Sequence, residues 1–319
     1  MNFNKIDIKS KNVIKKYLNK ENRMSCAYCF TDMFIWKDKY ETQYCIDDEC
    51  LYLRQYSKED NMFYYYMPMN SANIQDSINN IIIDALDNEY QFCFGNIHSD
   101  YLSLFENEYK DIFSIENVRD FSDYIYNSAD LINLSGKKFH KKKNLINKFM
   151  REYDGRFEYR NITVDDTNKI LEFNKMWCDK NLSKDSKDME YETKAIALAL
   201  ENFAELEMKG GMILVDGNII AYTLGSETNK ETFVVQIEKA LTEYSGAYQV
   251  INNLFAKNNL VDYKYINREE DLGIEGLRKA KLSYNPVIID DYYMACAHVE
   301  KLKKVCMLKR TFHNSLLDA

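Results

Sequence analysis

The alternation of apolar and polar positions is clearest in the second half of the chain. Residues 212–215 and 219–224 are apolar runs on either side of Asp216, Gly217 and Asn218, a short polar connection with a glycine, and they predict a β-hairpin. Residues 232–237, rich in β-branched side chains, predict a third strand. After Tyr244, Ser245 and Gly246, the residues Val250, Ile251, Leu254 and Phe255 recur at helical spacing on one face. Residues 263–266 read as a short strand and 275–282 as a short helix, and Pro286 opens a final strand through Tyr293. The order is hairpin, strand, helix, strand, helix, strand.

The first half repeats that order. Residues 43–46 and 51–55 flank the polar Asp47, Asp48 and Glu49, and residues 62–67 supply a third strand. Ile74, Ile78, Ile81, Ile82 and Ala85 mark an amphipathic helix, followed by a strand at 90–94, a helix around 101–105 and a strand at 112–115. Two rounds of this alternation predict an α/β protein of two layered units, mixed β-sheets flanked by helices. The boundary is expected near residue 130, giving domains over 1–130 and 131–319. Between the halves, residues 139–153, 167–181 and 192–208 read as helices that belong with the second unit.

Composition narrows the class. A length of 319 residues suits two domains, and 46% apolar with 29% charged residues is a globular balance. The first residues alternate lysine with isolated apolar positions, unlike an export signal. The longest apolar stretches, such as 81–83 and 287–289, fall far short of the roughly 20 residues that cross a bilayer. A soluble, cytoplasmic protein is expected. In that setting the eight cysteines are expected as reduced thiols. Cys26, Cys29, Cys45 and Cys50 have a spacing that a zinc site can use, but their aromatic and aliphatic neighbours favour small core residues, and no metal is assigned. The net charge of −8 disfavours nucleic acid or anionic lipid as partners of the whole surface, so such a partner needs a local basic patch.

The repeated element order is that of the GNAT acyltransferase fold, and its doubling resembles the tandem form of FemX-like aminoacyltransferases and lysyltransferases. Three segments carry the resemblance to the catalytic-domain family of bacterial phosphatidylglycerol lysyltransferases. The first is Ser135, Gly136, Lys137, Lys138, Phe139, His140, Lys141, Lys142, Lys143 and Asn144, leading into Ile146, Asn147, Lys148 and Phe149. The second joins Ile237, Glu238, Lys239 and Ala240 to Tyr244, Ser245, Gly246, Ala247, Tyr248 and Gln249. The third runs from Asn267, Arg268, Glu269, Glu270, Asp271, Leu272 and Gly273 through Gly276, Leu277, Arg278, Lys279, Ala280 and Lys281 to Tyr284, Asn285 and Pro286. The resemblance implies tandem GNAT-like domains and acyl or aminoacyl transfer, with aminoacyl-tRNA as donor in preference to acyl-CoA. The membrane lysyltransferases carry this domain on a transmembrane region that has no counterpart here, which puts a phospholipid acceptor in doubt.

Several residues are candidates for the chemistry. In an acyl-CoA-dependent GNAT domain, the turn after the central strand is glycine-rich so that backbone N–H groups can approach a pyrophosphate. Here that turn has only Gly246, and the first-half turn at 68–73 has none. The lysine-rich run, with His140 and Asn144 in it, is either a solvated helix face or a phosphate-binding surface for the acceptor end of a tRNA. Glu238, Glu269, Glu270 and Asp271 fall near the ends of two strands, where a carboxylate can take a proton from an attacking amine or hold an ammonium, or else merely cap a helix or lie on the surface; Glu238 and Asp271 are expected to face one cleft with raised pKa values. Tyr284 is a candidate proton donor among 25 tyrosines. Arg278 and Lys281, three residues apart on one helix face, either contact an oxyanion or phosphate or pair with the acidic run before them. A covalent or nucleotide-hydrolysing mechanism has no support, because no nucleophile elbow, P-loop or dinucleotide fingerprint is present. Two other readings stay open: a non-catalytic ligand-binding protein on a degenerate GNAT fold, and an acyl-CoA-dependent N-acyltransferase.

Overall fold

The computed structural model describes residues 1–180 and 186–297, so the end of the helix expected over 167–181 lies outside the described residues. The chain forms two compact units, and neither is one continuous stretch. Among the described residues, the first takes Met1–Glu21, Lys37–Phe121 and 291–297, and the second takes Asn22–Trp36 and Ser122–Asp290.

The sheet of the first unit has seven strands in the order Asn4–Lys5, Gln43–Asp47, Cys50–Ser57, Met62–Tyr65, Phe92–Ile97, Tyr293–Ala297, Phe113–Asn117. Its neighbours pair antiparallel except Met62–Tyr65 with Phe92–Ile97, which run parallel. A parallel pair needs a crossover, and the helix Ile74–Asp87 provides it. Asn73 caps that helix by accepting from the Gln75 N–H at 3.1 Å, and Ile78, Ile81, Ile82 and Ala85 turn into a core that holds Tyr65, Phe92, Phe94 and Phe113.

The second sheet repeats the plan: Phe157–Asn161, Lys209–Val215, Asn218–Asn229, Thr232–Ala240, Tyr265–Asn267, Asp123–Asn127, Ile288–Asp290. The single parallel pair is again the fourth with the fifth strand, Thr232–Ala240 with Tyr265–Asn267, and the helix Ala247–Asn259 makes the crossover. Its buried Val250, Ile251 and Phe255 pack over Ile213, Val215 and Phe233. The hairpins correspond too. Val215 pairs with Asn218, leaving Asp216 and Gly217 at φ 50° and 79°, and Asp47 pairs with Cys50, leaving Asp48 and Glu49 at φ 46° and 58°. Two central residues at positive φ give the turn whose twist matches a hairpin.

The expected single boundary near residue 130 differs from this arrangement, and the cause is a reciprocal exchange of strands. Asp123–Asn127 follows Phe113–Asn117 in sequence, yet it pairs with Tyr265–Asn267 and Ile288–Asp290 in the second sheet. Tyr293–Ala297 follows Ile288–Asp290, yet it sits between Phe92–Ile97 and Phe113–Asn117 in the first. The final strand expected to run from Pro286 through Tyr293 is therefore two strands in two sheets. The expectation of reduced thiols also fails at one place: Cys93 and Cys296 are register partners in the first sheet and are joined by a disulfide with an S–S distance of 2.09 Å. No helix among the described residues is long and apolar enough to cross a membrane.

Candidate functional site

The parallel ladder of the second unit is short. It covers Thr232↔Tyr265, Phe233↔Ile266 and Val234↔Asn267, after which Thr232–Ala240 continues without a partner on that side. On its other side the pairing steps from Leu224↔Ile237 to Gly225↔Val235, so Gln236 is an extra residue and the strand bulges where it loses its parallel neighbour. A bulge bends a strand and re-aims the side chains after it. Glu238 follows the bulge and Arg268 follows the end of Tyr265–Asn267, and their side chains meet across the opening at 2.7 Å.

Around this pair, Asn252 of the crossover helix donates to Glu238 at 3.2 Å. The Arg268 guanidinium lies 4.9 Å from the centroid of the Tyr284 ring and 5.8 Å from that of Tyr126. Tyr284 is buried, and its hydroxyl is held protonated well above its ordinary range by that burial. Lys142, from the helix His140–Glu152, places its ammonium 4.1 Å from the same ring centroid. Burial, and then the nearby Arg268 charge, push the Lys142 pKa down to about 8.

The structure separates the sequence candidates into three groups. Lys137, Lys138, His140, Lys141, Lys143 and Asn144 are exposed, and Lys138 pairs with Asp130 at 3.0 Å. Lys142 alone of these lysines is half-buried, over the Tyr284 ring and within reach of the Arg268 charge. It lies four and seven residues before the buried Ile146 and Phe149, so helical spacing already puts it on the inward face. Gly246 precedes the crossover helix at φ 93°, and a β-carbon there would come within 2.7 Å of the Leu145 carbonyl oxygen, so only glycine lets the two helices approach.

Asp271 departs from expectation. Its fully buried carboxylate accepts from Arg278 at 2.8 and 2.7 Å, from the Tyr124 hydroxyl at 2.5 Å and from the Gly273 N–H at 2.9 Å. Burial alone would raise its pKa, but these bonds to Arg278, Tyr124 and Gly273 outweigh it and hold it at about 2, not raised as expected of a proton acceptor. Arg278 and Lys281 both serve the acidic run: Lys281 is buried and donates to the carbonyl of Arg268 and, at 3.0 Å, to that of Glu269. Burial lowers the Lys281 pKa, against the opposing pull of Glu270 and Glu269.

Two further clusters join residues of the motifs, Glu269 and Glu270 in one and Lys239 in the other, to side chains outside them. Asp123, brought in by the exchanged strand, accepts from the Cys26 N–H at 2.8 Å and from Asn267 at 2.8 Å. One oxygen or sulfur each from Cys26, Asp123 and Glu270 lie within 4.8 Å of one another, as do those of Cys26, Asp32 and Glu269, so among the described residues these are the sets able to hold a cation. Burial and mutual repulsion raise the pKa values of Asp32, Glu269 and Glu270. The four cysteines weighed for zinc do not converge: Cys26 and Cys29 belong to the second unit, Cys45 and Cys50 to the core of the first. The second cluster is the buried Lys239, which pairs with Glu192 at 2.8 Å and lies 3.8 Å from the Trp177 ring centroid.

Comparison with known proteins places this geometry. The chain shares 38% identity and a TM-score of 0.87 with a conserved protein of unknown function from Bacteroides thetaiotaomicron, over 93% of this chain and 99% of that one. L-PGS from Bacillus licheniformis aligns with a TM-score of 0.60 at 14% identity, over 89% of this chain and 91% of its own. FemX aligns with a TM-score of 0.57 at 7% identity, over 92% and 97%. These two likenesses concern fold alone, as does that to a tandem GNAT protein from the clavulanic acid biosynthesis pathway, with a TM-score of 0.50 at 8% identity over 93% of this chain and 98% of that one; the fold is tandem GNAT-like. The profile of the family "Phosphatidylglycerol lysyltransferase, C-terminal" matches residues 19–296, nearly the whole described chain, and the protein therefore belongs to that family.

Proposed function

We propose that this protein transfers an aminoacyl group from aminoacyl-tRNA to an amine or hydroxyl acceptor, at the opening between Thr232–Ala240 and Tyr265–Asn267. The observation that carries the reading is the Glu238–Arg268 pair, which sits where the parallel strands of an acyltransferase-like unit part. Ligands of open α/β sheets bind beyond strand ends, where neighbours diverge. An ester-linked aminoacyl group is already activated, so direct attack is enough. The acceptor nitrogen or oxygen bonds to the carbonyl carbon, the ester C–O bond breaks, and the acceptor's proton passes to Glu238. Tyr284, protonated at neutral pH, supplies a proton to the departing ribose oxygen. Orientation of the two reactants supplies much of the rate in such a scheme.

The turn with Gly246 as its one glycine favours this donor over acyl-CoA, whose pyrophosphate uses a glycine-rich cradle. The test is to mix the protein with tRNA charged with labelled amino acids and a cell extract as the source of acceptors. Label should leave tRNA faster than by spontaneous hydrolysis and appear in an acceptor, and Tyr284→Phe should slow the transfer. No loss of label from any aminoacyl-tRNA, with acyl-CoA consumed instead, assigns the site to the acyl-CoA reaction. Loss of neither points to a binding protein.

A further inference from the structure

The sulfur of Cys26, in the second unit, sits among carboxylates. It lies 3.3 Å from Asp123 Oδ1 and 3.7 Å from Glu270 Oε2, and with one oxygen each of Asp32 and Glu269 it forms a set whose atoms are all within 4.8 Å of one another. Asp123 raises the pKa values of Asp32, Glu269 and Glu270, so these groups crowd negative charge into a place with little water. Lys281 opposes Glu269 and Glu270, but it directs donors to the carbonyls of Arg268 and Glu269. One ammonium against four carboxylates leaves an excess of negative charge. Asp123 is well served, since its Oδ2 accepts from the Cys26 N–H and from Asn267, each at 2.8 Å. Asp32 Oδ1 and Glu269 Oε1 are not: both oxygens are shut off from solvent and accept no hydrogen bond. Buried acceptors in that state call for a proton or a cation.

We propose that Cys26, Asp32 and Glu269 bind one Zn²⁺ ion. A proton shared between Asp32 and Glu269 would satisfy those two oxygens but would use neither Cys26 nor Glu270. A sulfur among oxygens selects Zn²⁺ over Mg²⁺ or Ca²⁺, which take oxygen ligands. Ligand atoms held about 2.0–2.3 Å from a tetrahedral zinc are about 3.3–3.8 Å apart, and the Cys26 contacts with Asp123 and Glu270 already show that spacing. Glu270 therefore stands beside the fourth position, and Asp123, through the Cys26 N–H, orients the sulfur. Asp32 and Glu269 each keep some exposed surface, which gives the ion its way in. Binding converts the thiol to a thiolate and releases its proton. Because Glu269 follows Arg268, the ion braces the segment that carries the partner of Glu238. The site takes no part in the transfer reaction proposed above and does not depend on it.

The test titrates the full chain with Zn²⁺ against a chromophoric chelator, repeats the titration with Co²⁺ while recording absorption spectra, and measures a melting temperature for every variant with and without metal. Wild type should bind one Zn²⁺, melt higher with it by mass action, and show a thiolate-to-cobalt charge-transfer band. Cys26→Ser should weaken Zn²⁺ binding at least about 100-fold and remove the band, whereas Asp123→Asn, which touches the ligand and not the ion, should weaken it about tenfold. Asp32→Asn takes one charge out of the crowded set, so without metal it should melt no lower than wild type while its Zn²⁺ affinity falls. Cys178→Ser, in the helix Thr167–Lys180, should change nothing. Wild-type affinity in a folded Cys26→Ser protein or in Asp32→Asn, a cobalt complex without the thiolate band, or failure of the wild type to bind Zn²⁺ overturns the site and leaves Asp32 and Glu269 as a pair sharing a proton. Equally tight binding of Mg²⁺ overturns the assignment to zinc.

Discussion

The two units share one strand order and differ in what fills the place where the parallel strands part. Counting six residues beyond the first ladder pair gives Glu238 in the second unit, starting from Thr232↔Tyr265, and Met69 in the first, starting from Phe63↔Phe92. The residue after the third ladder pair is Arg268 in the second unit and Gly95 in the first. In the first unit Tyr66, Met67 and Met69 are buried apolar side chains, and Met69 pairs back to Leu51. The space over Gly95 is filled by Tyr292, whose hydroxyl lies 2.5 Å from where a β-carbon would be. The pairing of Met62–Tyr65 with Cys50–Ser57 runs without a shift, whereas Thr232–Ala240 bulges. One frame thus carries a closed apolar junction in one copy and a charged, partly open one in the other. The frame supplies the opening, and the residues placed at it decide whether there is a site.

The largest expected contrast comes from matched substitutions at the two junctions. Glu238→Gln leaves the buried Arg268 charge without its counter-ion, a loss on the order of 3–5 kcal/mol. Met69→Leu conserves volume in the apolar junction and should cost less than about 1.5 kcal/mol. Equal costs in denaturant titrations would erase the distinction between the junctions.

Next in size is the covalent link of the first unit. The Cys93–Cys296 disulfide closes a span of 203 residues and ties the exchanged C-terminal strand to its neighbour. Reduction, or Cys93→Ser, should cost about 2–4 kcal/mol. Hydrogen exchange should rise in Phe92–Ile97 and Tyr293–Ala297 while the second sheet stays protected; uniform loosening would mean that the two units unfold together.

Two smaller effects depend on pH and belong to the second unit. Asp271 titrates at about 2 when folded, below its ordinary range, so the stability it lends is complete above that range and drains away as pH falls through it toward 2. In Asp271→Asn that acid-dependent part of the melting curve should vanish; retention of the full acid slope would place it in other carboxylates. Lys142 gives a slope of the same sign at the other end of the pH scale, but there it reports a penalty being relieved and not a stabilising bond being made. Its folded pKa of about 8 lies below that of a free lysine, so the unfolded chain holds the proton more tightly and stability rises with pH from about 8 upward. Lys142→Met should flatten that rise and stabilise the protein slightly at neutral pH, which thermal melts at pH 7 and pH 9.5 can compare.

Much of this frame was legible in the sequence, because hairpin turns and helix periodicity are local. Asp216 with Gly217, and Ile78 with Ile81 and Ile82, announce their own conformations. The exchanged strands were not, since Asp123–Asn127 and Tyr293–Ala297 choose their sheets by long-range pairing that no local pattern encodes. The site was half legible. Glu238 and Tyr284 were singled out from their motifs, and each lies beside Arg268. Lys142 was hidden among like neighbours, although its spacing from Ile146 and Phe149 marked it as inward. Asp271 was misread because a carboxylate at a strand end looks the same whether it meets a substrate or an arginine seven residues on. Cys26 was weighed with the wrong partners, because its spacing to Cys29 is local, whereas the carboxylates it meets, Asp123, Glu269 and Glu270, are distant in sequence.

Hydrogen exchange on the protein with and without a non-hydrolysable aminoacyl-RNA hairpin tests most directly whether the second unit holds the site. The account predicts slowed exchange in residues 235–240, in the segment around Arg268 and at the start of the helix His140–Glu152, with no change in residues 66–69 or around Gly95. Protection at the first-unit junction, or at neither, would contradict it.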